Sequence, residues 1–287
     1  MANITPQMVK ELRERTGAGM GDCKKALTEA EGNMDLAIEI LRKKGAASAA
    51  KRAERAANEG LVSTKVSPDG KTAVMVEVNC ETDFVAKNIE FSNYVDQVAE
   101  AVLANAVENV DDVMKLSHGS DTIEGMHNEI LAKFSEKIEI RRFVKINTEG
   151  HISDYVHAGS KLGVLLEAAV SDPGDDVKFM LKDIAMQVAA MSPQYLYREE
   201  VTGDTLEKEK EIYIQQAVDT GKKPEIAEKI AQGKIEKFYS ENCLYEQAFI
   251  KDPKKTIKDF VKDISDKAGK EVKLVQFKRY FIGESED

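Results

Sequence analysis

The stretch from residue 61 to residue 80 decides the fold, and its sequence is LVSTKVSPDGKTAVMVEVNC. Two runs rich in β-branched side chains, residues 61–66 and 72–80, flank the turn sequence SPDG. Proline and glycine suit a tight turn because proline presets one backbone angle and glycine tolerates unusual ones. The stretch therefore predicts a β-hairpin, and the amphipathic residues 90–104 predict a helix packed on it.

The same pattern returns further along the chain. An offset of 150 − 60 = 90 aligns Gly60 with Gly150 and keeps the alignment through the hairpin and into the following helix. The other identical pairs are Ser63 and Ser153, Val66 and Val156, Lys71 and Lys161, Val74 and Val164, Glu77 and Glu167, Val98 and Val188, Ala99 and Ala189. We interpret this as two copies of one α+β unit with small antiparallel sheets, with chance coincidence as the alternative.

The first 45 residues predict three short helices. Thr5 and Pro6 form a typical helix start, and Gly17 a typical helix end. Gly32 closes the second helix, and a third is expected to stop at Gly45. The alanine-rich residues 46–58 then predict a helical linker.

Residues 204–242 have a different character from the rest of the chain. Two helical runs with a narrow apolar seam are joined by the turn GKKP at residues 221–224. This pattern predicts an antiparallel coiled coil that projects from the body, where a partner or a second copy of the chain could bind it. A further helix and a strand are expected between residues 251 and 281.

Composition limits the class of protein. The net charge of −10 argues against the whole chain coating a polyanion, although a slight basic excess in the first 57 residues keeps an RNA-binding chaperone as a rival hypothesis. Cys23, Cys80 and Cys243 lie far apart and suggest neither a zinc site nor a disulfide framework. Without an expected signal peptide or membrane span, we expect a cytoplasmic protein.

No pattern of catalytic residues is found in the sequence. The four histidines, at positions 118, 127, 151 and 157, have neither metal-ligand spacing nor a neighbouring nucleophile motif. The glycines between residues 17 and 21 follow no strand, and Gly70 lacks the upstream glycine of a phosphate-binding loop. We therefore expect no catalytic residue, no metal and no cofactor.

The segment NCETDFV at residues 79–85 is a polar end to an apolar strand and contains one large aromatic residue. At the repeat offset, Asp83 faces Pro173 and Phe84 faces Gly174, so the copies differ here while matching on both sides. We interpret residues 82–85 as a tip adapted for contact. The alternative is that Phe84 tucks under the next helix.

Several ordered motifs resemble the elongation factor Ts family, from about residue 3 to about residue 280. They are VKELRERTGAGM (9–20), DCKKAL (22–27), EVNCETDFVA (77–86), IRR (140–142), YVHAG (155–159), GVL (163–165), GKKP (221–224) and IAEKI (226–230). The resemblance implies a ubiquitin-associated (UBA)-like three-helix domain (1–45), a linker (46–58) and two core subdomains (59–145; 146–203 with 243–287). It also implies that the coiled coil (204–242) is an insertion. A ubiquitin-type adaptor, the second rival, would leave the duplicated core unexplained.

The same resemblance implies a function. Members of the family are guanine-nucleotide exchange factors that bind elongation factor Tu, both GDP-bound and nucleotide-free, and promote GDP release. By resemblance, the tip of Thr82, Asp83, Phe84 and Val85 disturbs the partner's Mg²⁺ and phosphate site. Further contacts are expected at His157 and Gly159, and from the three-helix domain at Val9, Leu12, Arg13 and Met20. We expect no binding to membrane or nucleic acid, and leave open a homodimer through the coiled coil.

Overall fold

The computed structural model of this chain describes residues 4–52 and 54–284, with the side chains of all of these except residues 45–51. It is a mixed structure of helices and small antiparallel sheets, as the α+β prediction required. No helix among these residues is long and apolar enough to cross a membrane.

Three helices form an N-terminal bundle: α1 (Pro6–Thr16), α2 (Met20–Glu29) and α3 (Met34–Arg52). The Thr5 hydroxyl accepts a hydrogen bond from the Met8 N–H at 3.3 Å and begins α1. Gly17 ends α1 in the left-handed conformation, with φ of 67°. The buried residues of the bundle are Val9, Leu12, Ala18, Cys23, Ala26, Leu27, Ala30, Ala37 and Leu41.

The third helix is longer than the sequence predicted. We expected it to stop at Gly45, but α3 continues to Arg52 and takes in part of the predicted linker. A glycine inside a helix costs only about 1 kcal/mol relative to alanine, and the alanine-rich residues that follow are strong helix formers. The prediction that the helix ends at Gly45 was therefore wrong, because the neighbouring sequence outweighs one glycine.

The first core unit contains a three-stranded sheet in the order β1 (Glu59–Val66), β2 (Thr72–Cys80), β5 (Ile138–Asn147). Between β2 and β5 lie α4 (Asp83–Ala86), α5 (Ile89–Ala104), α6 (Val110–Lys115), β3 (Ser117–His118), β4 (Asp121–Thr122) and α7 (Ile123–Phe134). Helix α5 covers the sheet with buried residues spaced at helical intervals, as predicted. These include Phe91, Tyr94, Val95, Val98 and Val102.

The second core unit has the same arrangement. Its strands are β6 (His151–Val156), β7 (Leu162–Ala169) and β10 (Lys273–Phe281), with β7 in the centre, and α8 (Asp175–Met191) covers them. The remaining α-helices and strands are α9 (Gly203–Asp219), α10 (Pro224–Asn242), β8 (Ala248–Phe249), β9 (Asp252–Thr256) and α11 (Ile257–Ala268). Helices α9 and α10 pack along each other and so form the predicted helical hairpin. The buried residues of α10 are Ala227, Ala231, Ile235 and Phe238.

Strand register confirms the repeat. Val62 lies opposite Glu77 in the first sheet, and Ile152, 90 residues later, lies opposite Glu167 in the second. Both sheets also contain an irregularity in the third strand beside this glutamate. Each buried glutamate accepts a hydrogen bond from that strand, from Arg142 Nε at 2.7 Å in one copy and from Gln276 Nε2 at 2.7 Å in the other.

The two sheets contact each other through equivalent positions. The Val62 N–H donates to the Ser160 carbonyl at 2.6 Å, and the Ile152 N–H donates to the Gly70 carbonyl at 2.8 Å. These two bonds are related by the same 90-residue offset, so the units are joined by a local pseudo-two-fold axis. A shared apolar core fills the junction and consists of Val62, Ala73, Met75, Ile146, Ile152, Leu165 and Ile282.

Candidate functional site

The candidate site lies where the central strand of the first unit ends. Strand β2 stops at Cys80, and the chain makes the single helical turn α4 before entering α5. Thr82 begins this turn, because its hydroxyl accepts a hydrogen bond from the Val85 N–H at 3.4 Å. Helix α4 is short since Asn88 starts the next helix by accepting from the Glu90 N–H at 2.9 Å.

Neighbouring residues of this turn point in opposite directions. Phe84 is 83% exposed, whereas Val85 is 5% exposed and belongs to the core beneath α5. The structure therefore does not bear out the alternative in which Phe84 tucks under the next helix. It also places Val85, which we expected to touch a partner, inside the core. Val85 anchors the turn, and Phe84 is its free aromatic surface.

Asp83 carries a negative charge beside the exposed ring. Its carboxylate accepts a hydrogen bond from Lys87 Nζ at 2.6 Å, one helical turn later. This hydrogen bond, and then the charge of Lys87, hold the pKa of Asp83 below its usual range. Asp83 is thus ionised at neutral pH and suited to accept hydrogen bonds rather than to donate a proton.

Thr82 is held from a distant part of the sequence. Glu136, in the segment between α7 and β5, accepts hydrogen bonds from both the backbone N–H and the hydroxyl of Thr82. The sequence did not point to Glu136, because 54 residues separate the two and no motif links them. Only the pairing of β2 with β5 brings them together.

Cys80 is a structural residue. Its side chain is fully buried, and its sulfur lies 3.2 Å from the carbonyl of Thr82. Burial raises the pKa of the thiol to about 12, so the reactive thiolate is scarce at neutral pH.

The turn between β6 and β7 lies beside the tip. It exposes His157, whose Nδ1 is 2.9 Å from the Tyr155 hydroxyl, and Gly159, whose φ of 90° favours glycine. Lys161 follows and reaches Glu59 Oε2 at 2.5 Å, on the strand paired with the end of β2. The charge of Lys161 also contributes to the lowered pKa of Asp83. Two predicted contact segments therefore share one side of the molecule.

The N-terminal candidates divide into two groups. Arg13 is exposed and Met20 is 54% exposed, so both are available to a partner. Val9 and Leu12 are buried among the three helices and cannot make the direct contacts we expected of them. Val9 and Leu12 lie three residues apart and share the buried face of α1, whereas Arg13 lies one position beyond Leu12, about 100° further around the helix, and is exposed.

Comparison with known proteins gives a consistent result. A family model described as elongation factor TS matches residues 81–284. A protein named elongation factor Ts from Clostridioides difficile (strain 630) is 47% identical over 285 residues, which cover 99% of this chain and 94% of the relative. The elongation factor Ts of Trichlorobacter lovleyi is 45% identical, with coverage of 98% and 93%. That of Nautilia profundicola is 47% identical, with coverage of 99% and 94%. Matches of this extent show that the chain belongs to the elongation factor Ts family.

Proposed function

We propose that this chain releases GDP from elongation factor Tu through the tip at residues 82–85. Membership of the elongation factor Ts family gives the chain the role of nucleotide exchange factor in translation elongation. The observation that carries the proposal for the tip is the exposure of Phe84 on a turn whose next residue is buried. An aromatic ring held in water on a rigid base is suited to insertion into a partner's pocket.

The physical basis is displacement of the nucleotide's ligands. GDP in a GTPase is held by backbone donors around its phosphates and by Mg²⁺. A wedge that moves those groups weakens nucleotide binding without chemical reaction. Buried aromatic anchors at interfaces commonly contribute about 2 kcal/mol or more, enough to offset a large part of such a displacement. Phe84 provides the wedge, and the ionised Asp83 provides an acceptor for donors of the partner or a charge near its metal ion.

The remaining contacts extend this surface. We assign His157 and Gly159 to a second contact, because they lie on the exposed turn beside the tip. Arg13 and Met20 are the exposed candidates of the N-terminal bundle, which we propose rests on the nucleotide-binding domain of the partner. Val9, Leu12 and Val85 support these surfaces from the cores beneath them.

A second proposal concerns the helical hairpin of α9 and α10. Ile212, Val218 and Ile226 are exposed on it, which favours a coiled coil that offers apolar surface to another molecule. We propose a second copy of the chain as the partner, and sedimentation of the wild type beside an Ile226→Glu variant tests it. A mass that stays that of one chain at all concentrations would contradict the proposal.

We also propose that the chain acts in the cytoplasm, because its family acts in translation elongation, and that it does not bind nucleic acid directly.

Thermodynamic linkage provides the experiment for the exchange mechanism. If the chain lowers the affinity of elongation factor Tu for GDP, then GDP must lower the affinity of elongation factor Tu for the chain by the same factor. We expect titrations of the two proteins to show tight binding without nucleotide and much weaker binding with saturating GDP and Mg²⁺. Equal affinity under both conditions would refute exchange by competition with the nucleotide.

A further inference from the structure

The segment that carries the tip is joined to the segment between α7 and β5 through two carboxylates. Glu136 accepts from the Thr82 N–H at 3.1 Å and from the Thr82 hydroxyl at 2.7 Å. In return, Glu81 accepts from the Lys137 N–H at 2.6 Å. We call these four residues, Glu81, Thr82, Glu136 and Lys137, the carboxylate lock.

The lock begins where the sheet stops. The pairing of β2 with β5 ends at Cys80 and Ile138, so the next backbone donors have no partner in the ladder. The carboxylates satisfy them, and hydrogen bonds to an ionised acceptor are roughly twice as strong as neutral ones. The lock therefore extends the connection between the two segments beyond the last strand pair.

Helix α7 holds the other side of the lock. Ser135 follows the last residue of α7, and its left-handed backbone, with φ of 56°, turns the chain so that Glu136 faces Thr82. Earlier in α7, Glu129 forms a salt bridge with Arg42 of α3, with 2.7 Å between Glu129 Oε1 and Arg42 Nη2. One helix thus connects the tip with the N-terminal bundle, and both are surfaces that we assign to the same partner.

The described part of the second core unit has no such lock. The third strands align at an offset of 274 − 140 = 134, which places Lys270 at the position of Glu136. Lys270 Nζ donates to the Ser171 carbonyl at 2.5 Å, and no four-residue helix follows there. Among residues 4–52 and 54–284, the reciprocal carboxylates are therefore found only in the copy that carries the exposed phenylalanine.

We propose that Glu136 is a positioning residue, which fixes Phe84 in its binding orientation before the partner arrives. This inference rests on the proposed role of the tip. A four-residue helix is not stable by its own hydrogen bonds, which here are those from the Ala86 and Lys87 N–H groups to Thr82 and Asp83. Without the lock, the segment spends only part of its time in the competent orientation, and its apparent affinity falls by that fraction.

The test compares Glu136→Gln with the wild type. Glutamine keeps the size of Glu136 but removes the negative charge from the acceptor of both Thr82 hydrogen bonds. For Glu136→Gln we expect the concentration of factor that half-saturates GDP release to rise about 10-fold. The release rate at saturation should stay within about two-fold of that of the wild type, because the tip keeps all of its own side chains.

Hydrogen exchange provides an independent measurement on the free protein. In Glu136→Gln the amides of Ala86 and Lys87 should exchange faster, while amides in the centre of β2 keep their protection. The matched control is Glu139→Gln, because Glu139 pairs with the side chain of the same Lys137 at 3.0 Å but does not touch Thr82. The control should change neither the exchange of these amides nor the half-saturating concentration.

The outcomes separate this inference from the proposed function. If the wild type fails to accelerate GDP release, the role of the tip is refuted. If the wild type is active, an unchanged half-saturating concentration in Glu136→Gln would overturn only the lock. An equal effect of Glu139→Gln would also overturn it. Faster exchange at Ala86 and Lys87 with a raised half-saturating concentration would support it.

Discussion

Two adjacent residues of the tip differ in burial and in structural role. Val85 is buried and fixes the turn, while Phe84 is exposed. The sequence showed that one aromatic residue ends the strand, but it left the direction of the ring open. A single helical turn has no periodic pattern from which to infer a buried face, so only the three-dimensional structure could settle it. The role of Glu136 could not be predicted from the sequence for another reason, since its partner Thr82 lies 54 residues away.

The charge of Glu81 should make stability depend on pH. The Lys137 N–H, and after it Arg55, hold the pKa of Glu81 below its ordinary value of 4.5. A carboxyl with a lowered pKa in the folded state stabilises that state above its ordinary pKa, and loses this effect as the pH falls through the lowered value. We expect the free energy of unfolding of the wild type to exceed that of Glu81→Gln at neutral pH, and the difference to shrink in acid. Denaturant titrations across this range measure it, and a difference independent of pH would contradict the assignment.

At the scale of elements, the sequence was most informative where signals are local. The turn at residues 67–70, the β-branched runs on both sides of it and the offset of the repeat led to the correct hairpins and covering helices. The end of α3 was missed, since one glycine is a weak stop signal among strong helix formers. The join between the sheets was also beyond sequence patterns, because it depends on which strand edges meet.

A substitution of Gly163 tests how the two sheets pack against each other. A Cβ atom added there would lie 2.5 Å from Val62 Cγ1 and 3.0 Å from Met75 Sδ, in the core shared by the sheets. Overpacking of this kind typically costs about 1–3 kcal/mol, so Gly163→Ala should lower the midpoint of urea unfolding. Gly233→Ala in α10 is the control, because its Cβ would meet nothing within 4 Å and alanine favours a helix. Equal midpoints for Gly163→Ala and the wild type would mean that the sheets do not pack as described.

In the whole molecule, two similar units differ where function is proposed. Their sheets share register, bulge position and contacts across a pseudo-two-fold axis. The first unit ends its central strand in an exposed phenylalanine, and the second contributes the turn with His157 and Gly159 to the same side. The scaffold was therefore predictable from the repeat, whereas the candidate site lies where the two copies differ.

The most direct test of the central claim is stopped-flow release of a fluorescent GDP from elongation factor Tu. We expect strong acceleration by the wild type and loss of most of it in Phe84→Ala, with little change in the stability of the factor because the ring is exposed. Phe179→Ala is the matched control, since this phenylalanine is 70% exposed on α8, outside the proposed contacts, and its loss should leave release unchanged. Acceleration by Phe84→Ala equal to that by the wild type would refute the role of Phe84 in GDP release.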